Sequence, residues 1–201
     1  LIGAAISIPV TAGRLSRNPV IGGLAFAYVY CFRGTPLLAQ TFLVYYGAGS
    51  FRPELEAVGL WTFFRDAWFC AVFTFALNTS AYQAEILAGA IRNVAKGQQE
   101  AGQALGLSRF VIMWRIVLPQ ALIVALRPYG NEVVLMIKGS AIASIITIYD
   151  LMGETRRAFS RSFDFQIYIW AAILYLVLVE ALRRLWDVLD RRLTRHLVRE
   201  D

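Results

Sequence analysis

Long apolar runs separated by short polar breaks dominate the chain. The runs cover residues 1–13, 20–46, 67–91, 119–148 and 165–185. About 20 apolar residues of helix are needed to cross a hydrocarbon core about 30 Å thick. Four runs reach that length, and the first is interpreted as a truncated span. The pattern predicts one all-α membrane domain over residues 1–201, with about five transmembrane helices.

Two of the runs are longer than a straight span requires. As helices, residues 20–46 would extend about 40 Å and residues 119–148 about 45 Å. The first run is interrupted by Arg33-Gly34-Thr35-Pro36, where proline lacks a backbone donor and glycine weakens the helix. The second contains Pro128 and the step Lys138-Gly139-Ser140. We therefore expect a break or a bend at each of these places.

Polar segments separate the spans. Residues 47–66 and 149–164 are predicted to be external loops, and residues 92–116 a cytoplasmic loop. In the cytoplasmic loop, Gly102 and Gly106 lie four apart and share a helix face that a second backbone could approach closely. Gly106 also suits the left-handed end of a short helix. We expect a short amphipathic helix outside the membrane, and its spacing alone fits a docking element and a plain connector equally well.

The same segment carries a resemblance to a known family. Glu100-Ala101-Gly102, then Gly106, then Ile116, Leu118 and Pro119 match the spacing of the EAA loop of ABC-importer permeases, with Gly102 in place of the usual alanine. In that family the loop is a coupling helix that docks into a separate cytoplasmic ATPase. The resemblance implies that role here for six residues: Glu100, Ala101, Gly102, Ala104, Leu105 and Gly106.

Composition and charge support a membrane protein and set its orientation. The chain is 58% hydrophobic and 17% charged, with a mean hydropathy of +0.54, which excludes an ordinary soluble domain. Its net charge of +6 does not indicate nucleic-acid binding, because the arginines are not clustered with aromatic residues on a polar face. Twelve basic residues are assigned to the inside, Arg195 and Arg199 of the C-terminal tail among them, against five outside. By the positive-inside rule, the Glu100 segment and the C-terminus are cytoplasmic.

Polar side chains within the spans are candidates for a substrate path. Arg33 and Thr35 lie at the break of the second span, where a new half-helix could direct free N–H groups at a carboxylate. Asn78, Tyr82 and Glu85 recur at helical spacing, so they share one face of the third span. A structural kink for the first pair and hydrogen bonding between helices for the second set remain open alternatives.

Lys138 and Ser140 complete the candidate path, with local packing as the alternative interpretation. These positions also resemble elements of polar amino-acid permeases: Phe32–Pro36 resembles FRGTP, Ala81–Glu85 resembles AYxAE, and Lys138–Ser144 resembles KxTSLAS with changed residues. As a hypothesis, Glu85 suits the cationic side chain of arginine, histidine or an opine.

The resemblance covers nearly the whole chain and is closest to histidine, arginine and opine permeases. It implies a subunit of a bacterial inner membrane importer that pairs with a second permease, identical or paralogous, two ATPase subunits and a periplasmic solute-binding protein. The chain has no Gly-x4-Gly-Lys-Ser/Thr loop, so ATP and Mg are expected only in the partner ATPase, and no enzyme activity, cofactor or metal in this chain. An ion-coupled secondary transporter is the alternative, although no inverted repeat is apparent.

Overall fold

The computed structural model describes residues 1–194, and Arg195, His196 and Arg199 of the predicted basic tail lie outside the described residues. Within that range the chain is helical and contains no strand, as the sequence predicts. Eleven α-helices follow in order: α1 (Ile2–Arg14), α2 (Pro19–Gly34), α3 (Leu37–Ser50), α4 (Arg52–Ala57), α5 (Trp61–Phe64), α6 (Ala67–Arg92), α7 (Lys96–Ala104), α8 (Arg109–Ile112), α9 (Leu118–Gly139), α10 (Leu151–Ser162) and α11 (Gln166–Leu193). A π-helical segment (Met113–Val117) joins α8 to α9, and a 3-10 segment (Ser140–Ile146) follows α9.

Helix α6 is the centre of the bundle, and α1, α2, α3 and α9 pack against it. Its buried face consists mainly of small residues, of which Ala81, Ala84 and Ala88 are fully inaccessible. Small residues let helix backbones approach closely, which is the usual packing mode within membranes. At the contact with α1, a Cβ added to Gly3 would lie 2.3 Å from Cγ2 of Thr79. Glycine is therefore required at this crossing.

The predicted break of the second span is confirmed. Helices α2 and α3 meet at 100° across Thr35 and Pro36. The local sequence explains both ends of α2. Asn18 caps its first turn by accepting from the backbone N–H groups of Val20 and Ile21, and Pro36 prevents the helix from continuing.

In the second long run, the break at Lys138-Gly139-Ser140 is confirmed, whereas Pro128 does not end its helix. Helix α9 ends at Gly139, where the backbone tightens into the 3-10 segment and then turns at Thr147 with a φ of 68°. Pro128, in contrast, lies inside α9 without ending it. Pro128 and the residue four before it, Val124, are both exposed, so the lost hydrogen bond falls on the open side of the helix.

By length and composition, two helical stretches can cross a membrane, Arg109–Ile146 and Gln166–Leu193, and the bent pair α2–α3 can form a third. Helix α6 has 26 residues, but many of its buried side chains are polar, and α1 has 13 residues. The predicted external segments contain short helices: α4 and α5 lie within residues 47–66, and α10 within residues 149–164.

Candidate functional site

A hydrogen-bond network holds the bend between α2 and α3. The amide nitrogen of Asn78 donates to the carbonyl of Phe32 and to Oε1 of Gln40, both at 3.0 Å. Nε2 of Gln40 in turn donates to the carbonyl of Phe32 at 2.9 Å and to the hydroxyl of Thr35 at 2.7 Å. Since a break in a membrane helix leaves carbonyls without partners, these side chains stabilise the bend.

Two of the predicted path residues therefore have structural partners. Asn78 is buried and reaches across to α2, while the Thr35 hydroxyl donates to the carbonyl of Cys31 at 2.8 Å. Gln40, which connects them, did not emerge from the sequence as a candidate. The sequence feature that could have identified Gln40 is a polar amide in an otherwise apolar run.

The carboxylate of Glu85 forms an ion pair with another residue of the chain. The carboxylate accepts from Nε of Arg14 at 2.9 Å and from a terminal nitrogen of Arg14 at 3.2 Å, a bidentate arrangement. Arg92 lies 3.7 Å away and also donates to the backbone carbonyl of Arg14 at 2.9 Å. The hypothesis that Glu85 faces a cationic substrate must therefore include Arg14, which did not emerge from the sequence as a candidate.

A cleft of about 400 Å³ brings three of the predicted path residues together, namely Arg33, Tyr82 and Glu85. The guanidinium of Arg33 lies 5.1 Å from the centre of the Tyr82 ring, and the Tyr82 hydroxyl donates to the Arg33 carbonyl at 3.4 Å. Arg14 also lines the cleft, so its wall carries two arginines against one carboxylate. The cleft therefore offers an excess of positive charge, which favours a carboxylate.

Lys138 and Ser140 do not line this cleft. Lys138 is exposed, and the Ser140 hydroxyl donates to the carbonyl of Ile137 at 2.8 Å. The break they flank nevertheless lies beside the first break, because a Cβ added to Gly139 would be 3.4 Å from Leu37 at the start of α3. The two interrupted helices therefore meet at their ends.

A second buried polar contact joins α6 to α9 next to the cleft. The Thr79 hydroxyl donates to Glu132 at 2.8 Å and accepts from Gln83 at 3.1 Å. Glu132 is only 5% exposed, so this contact supplies a hydrogen bond that a buried carboxylate requires. Among residues 1–194, no group of three or more His, Cys, Asp or Glu side chains could hold a metal ion.

Helix α7 contains the first three residues of the EAA spacing, Glu100-Ala101-Gly102. Its C-terminus is a Schellman motif: the N–H of Leu107 donates to the carbonyl of Gly102 at 3.0 Å, and the N–H of Gly106 to that of Gln103 at 2.9 Å. Gly106 has a φ of +74°, so the predicted left-handed end is confirmed. Glycine is favoured there because other residues are strained in this conformation.

The predicted small-residue docking face requires a correction. Gly102 is buried against the chain itself, since an added Cβ would lie 2.9 Å from Ile112 and 3.3 Å from Ile116. Gly106 is open to solvent, as are Glu100, Ala101, Ala104 and Leu105. The two glycines therefore have different roles. Gly102 lets α7 pack closely against the following helix, and Gly106 ends α7.

Large apolar side chains remain exposed around α7. Leu105 is 79% exposed, Phe110 70% and Trp114 57%. Exposed large apolar side chains beside a polar helix are a common mark of a protein interface.

The central packed helix, the broken span with its polar cleft and the exposed amphipathic helix define a membrane-embedded transport subunit. A family model described as "Binding-protein-dependent transport system inner membrane component" matches residues 5–195. The chain belongs to this family, the permease subunits of ABC importers, which are inner membrane proteins.

Curated relatives are named for amino-acid and opine transport. The nopaline transport system permease protein NocM of Agrobacterium fabrum is 44% identical over 198 residues, covering 98% of this chain and 82% of the relative. The arginine ABC transporter permease protein ArtM of Escherichia coli is 36% identical over 176 residues, covering 88% of this chain and 79% of the relative.

Solved structures share the fold. The crystal structure of an amino acid ABC transporter with histidines superposes with a TM-score of 0.83 at 33% identity, covering 95% of this chain and 85% of the other. The MetNI methionine ABC transporter in an inward-facing conformation gives a TM-score of 0.74 at 18% identity, covering 96% and 88%, and this similarity concerns the fold alone.

Proposed function

We propose that this chain, as one permease domain over residues 1–201, carries polar amino acids of the basic or opine type through the membrane in an ATP-driven importer. The observation that carries the proposal is the cleft in which Arg14, Arg33 and Glu85 lie beside the α2–α3 bend. The relatives named for nopaline, octopine and arginine transport support this substrate class. The chain itself catalyses no reaction and holds no cofactor, since ATP and Mg bind the partner ATPase.

The charges in the cleft fit a substrate with a carboxylate and a cationic side chain. A carboxylate would bind Arg33, whose guanidinium is held over the Tyr82 ring and has no ion pair among residues 1–194. Arg14 already supplies the guanidinium that Glu85 binds. A cationic substrate side chain would take the place of Arg14 on Glu85, so Arg14 acts as an internal competitor for substrate.

The apolar runs give five spans, and the distribution of basic residues orients them with an external N-terminus and a cytoplasmic C-terminus. In this topology the bent pair α2–α3, α6, α9 and α11 cross the membrane, and α1, with 13 residues, forms part of the first span. Helix α7 is then cytoplasmic, and α4, α5 and α10 lie outside. The 26-residue length of α6 is sufficient for a span, and its polar residues face other helices instead of lipid.

Helix α7 is the surface on which a cytoplasmic ATPase docks. Glu100, Ala101, Ala104 and Leu105 are exposed on it, and the apolar surface continues to Phe110. Gly102 fits closely against Ile112 and Ile116, so movement of α7 is passed to the helix that continues into α9. The α9 contact with α6 then extends this path to the cleft.

The complete importer contains two permeases, identical or paralogous, two ATPases and a periplasmic solute-binding protein. The family description names dependence on a binding protein, which supports the last of these partners. ATP binding would close the ATPases, and the paired α7 helices would then move with them and alternate the access of the cleft.

The test is uptake into proteoliposomes that contain the purified complex, the binding protein and ATP. We expect ATP-dependent accumulation of labelled arginine or of a labelled arginine-derived opine. Each of these two substrates should compete with the uptake of the other, and an uncharged amino acid should compete with neither. Arg33→Gln should raise the half-saturating substrate concentration, whereas Arg52→Gln, outside the cleft, should not. Uptake that proceeds without ATP but requires an ion gradient would favour the secondary transporter and reject the proposal.

A further inference from the structure

A second cavity lies between α9 and α11, away from the cleft described above. It has a volume of about 480 Å³. The two helices are held together beside it by Trp186, whose indole N–H donates to the carbonyl of Leu126 at 2.8 Å. The Trp186 ring packs so closely on Gly130 that an added Cβ would lie 2.4 Å from it. This contact fixes one wall of the cavity and leaves the space beside it open.

The cavity lies where the membrane-spanning part of α11 ends. The apolar run of α11 ends at residue 185, and the charged side chains of Glu180, Arg183 and Arg184 in its last turns mark the approach to the membrane–water boundary. Trp186 directly follows this run, and tryptophan is enriched at the membrane–water boundary. Helix α11 is also largely exposed, since only 6% of its most apolar 18-residue stretch is buried by the rest of the chain. The cavity therefore faces the layer of lipid headgroups.

Charges of both signs line the cavity, and some already have partners. Nε of Arg127 donates to Oδ2 of Asp190 at 2.9 Å, and Arg183 pairs with Glu180 at 2.9 Å. Asp187 and Arg191 also line the cavity, and neither forms an ion pair within the part of the chain that the structure describes. They are four apart on α11, a spacing at which opposite charges usually pair.

An unpaired anion and an unpaired cation in one cavity suit a ligand that carries both charges. A phosphate would bind the arginine side chains, which provide the charge-assisted donors that it prefers. A primary ammonium would bind Asp187, which accepts hydrogen bonds only. Headgroups that combine these two groups belong to aminophospholipids, and basic pockets between membrane helices are known to bind lipid headgroups.

We propose that this cavity binds the headgroup of phosphatidylethanolamine. The phosphate lies on Arg191, and the ammonium lies on Asp187. The glycerol region rests on the Trp186 ring. The bound lipid joins the end of α11 to α9 at the boundary where these helices leave the membrane.

Native mass spectrometry of the intact complex tests the proposal with three lipids of equal chain length. Phosphatidylcholine keeps the phosphate but lacks ammonium N–H donors, and phosphatidylglycerol lacks the ammonium. We expect phosphatidylethanolamine to be retained about tenfold better than either, as the loss of one charge-assisted hydrogen bond implies. Asp187→Asn should remove the preference over phosphatidylcholine, and Arg191→Gln should lower retention of all three lipids.

Arg192→Gln is the matched control, since Arg192 is the adjacent arginine on α11 and does not line the cavity. Quenching of tryptophan fluorescence by phosphatidylethanolamine with brominated chains locates the lipid, and Trp186→Phe should remove most of the saturable part. Equal retention of the three lipids, or equal effects of Arg191→Gln and Arg192→Gln, would overturn the proposal. So would displacement by an equal concentration of soluble glycerophosphoethanolamine, which would assign the cavity to a soluble metabolite.

Discussion

The coupling free energy of the ion pair between Arg14 and Glu85 can be predicted from its geometry. It joins α1 to α6 through two hydrogen bonds, and the two side chains are 17% and 26% exposed. The pair Arg52–Glu56 is a natural control, because it is a single contact within α4 with side chains 60% and 47% exposed. An exposed pair of that kind contributes about 0.3–0.5 kcal/mol.

A bidentate, partly buried pair contributes more, because its charges are less screened by water and are oriented by two hydrogen bonds. We expect a coupling free energy of about 1.5–3 kcal/mol between Arg14 and Glu85. At about 2–4 °C per kcal/mol for a chain of this size, the interaction corresponds to a shift of about 3–12 °C in Tm.

The assay is a double-mutant cycle on thermal unfolding in lipid nanodiscs, with Arg14→Gln, Glu85→Gln and the double variant. The same cycle on Arg52 and Glu56 provides the baseline. A coupling for Arg14 and Glu85 no larger than that baseline would refute the view that this pair fixes α1 on α6. It would also remove the basis for treating Arg14 as the competitor of a cationic substrate.

Three further predictions concern the bend, the cleft and α7. Asn78→Leu removes the donor that serves Phe32 and Gln40, so we expect loss of about 1–3 kcal/mol of stability and reduced uptake, measured by unfolding in nanodiscs and by transport. Arg33→Lys keeps the charge but not the planar group over Tyr82, and should restore only part of the uptake lost in Arg33→Gln. Gly106→Asp combines strain at a φ of +74° with a charge on the docking surface, and should abolish ATP-driven uptake while the chain still inserts.

Each of these predictions has a result that would contradict it. Full stability of Asn78→Leu would mean that the bend needs no side-chain support. Equal uptake by Arg33→Lys and Arg33→Gln would show that the planar guanidinium is irrelevant. Retained ATP-driven uptake in Gly106→Asp would contradict a coupling role for α7. Gly97→Asp, at the other end of α7, is the control for the effect of the added charge alone.

The elements that depend on local sequence were predictable. The bend at Arg33–Pro36 and the end of α9 at Gly139 follow from proline and glycine in runs too long for one span. The end of α7 follows from glycine at a left-handed position. Pro128 does not end α9, because the effect of a proline depends on which side of the helix it occupies, and that side is set by tertiary packing.

The site was only partly predictable, because its partners are distant in sequence. Arg14 and Glu85 are 71 residues apart, and Gln40 and Asn78 are 38 apart. Helical spacing placed Asn78, Tyr82 and Glu85 on one face of α6, and the structure shows that this face contacts α1 and α2. It could not show that Glu85 already has an arginine partner, nor that Gly102 faces Ile112 instead of a separate subunit.

The most direct test of the central claim is affinity purification of this chain in mild detergent, followed by mass spectrometry of its partners. We expect a stoichiometric ATPase and a second permease, with the ATPase lost when exposed Leu105 is changed to aspartate. The control Leu60→Asp, at an exposed position that the proposed topology places outside, should retain the ATPase. A chain that purifies alone and moves solute into vesicles without ATP would contradict the account.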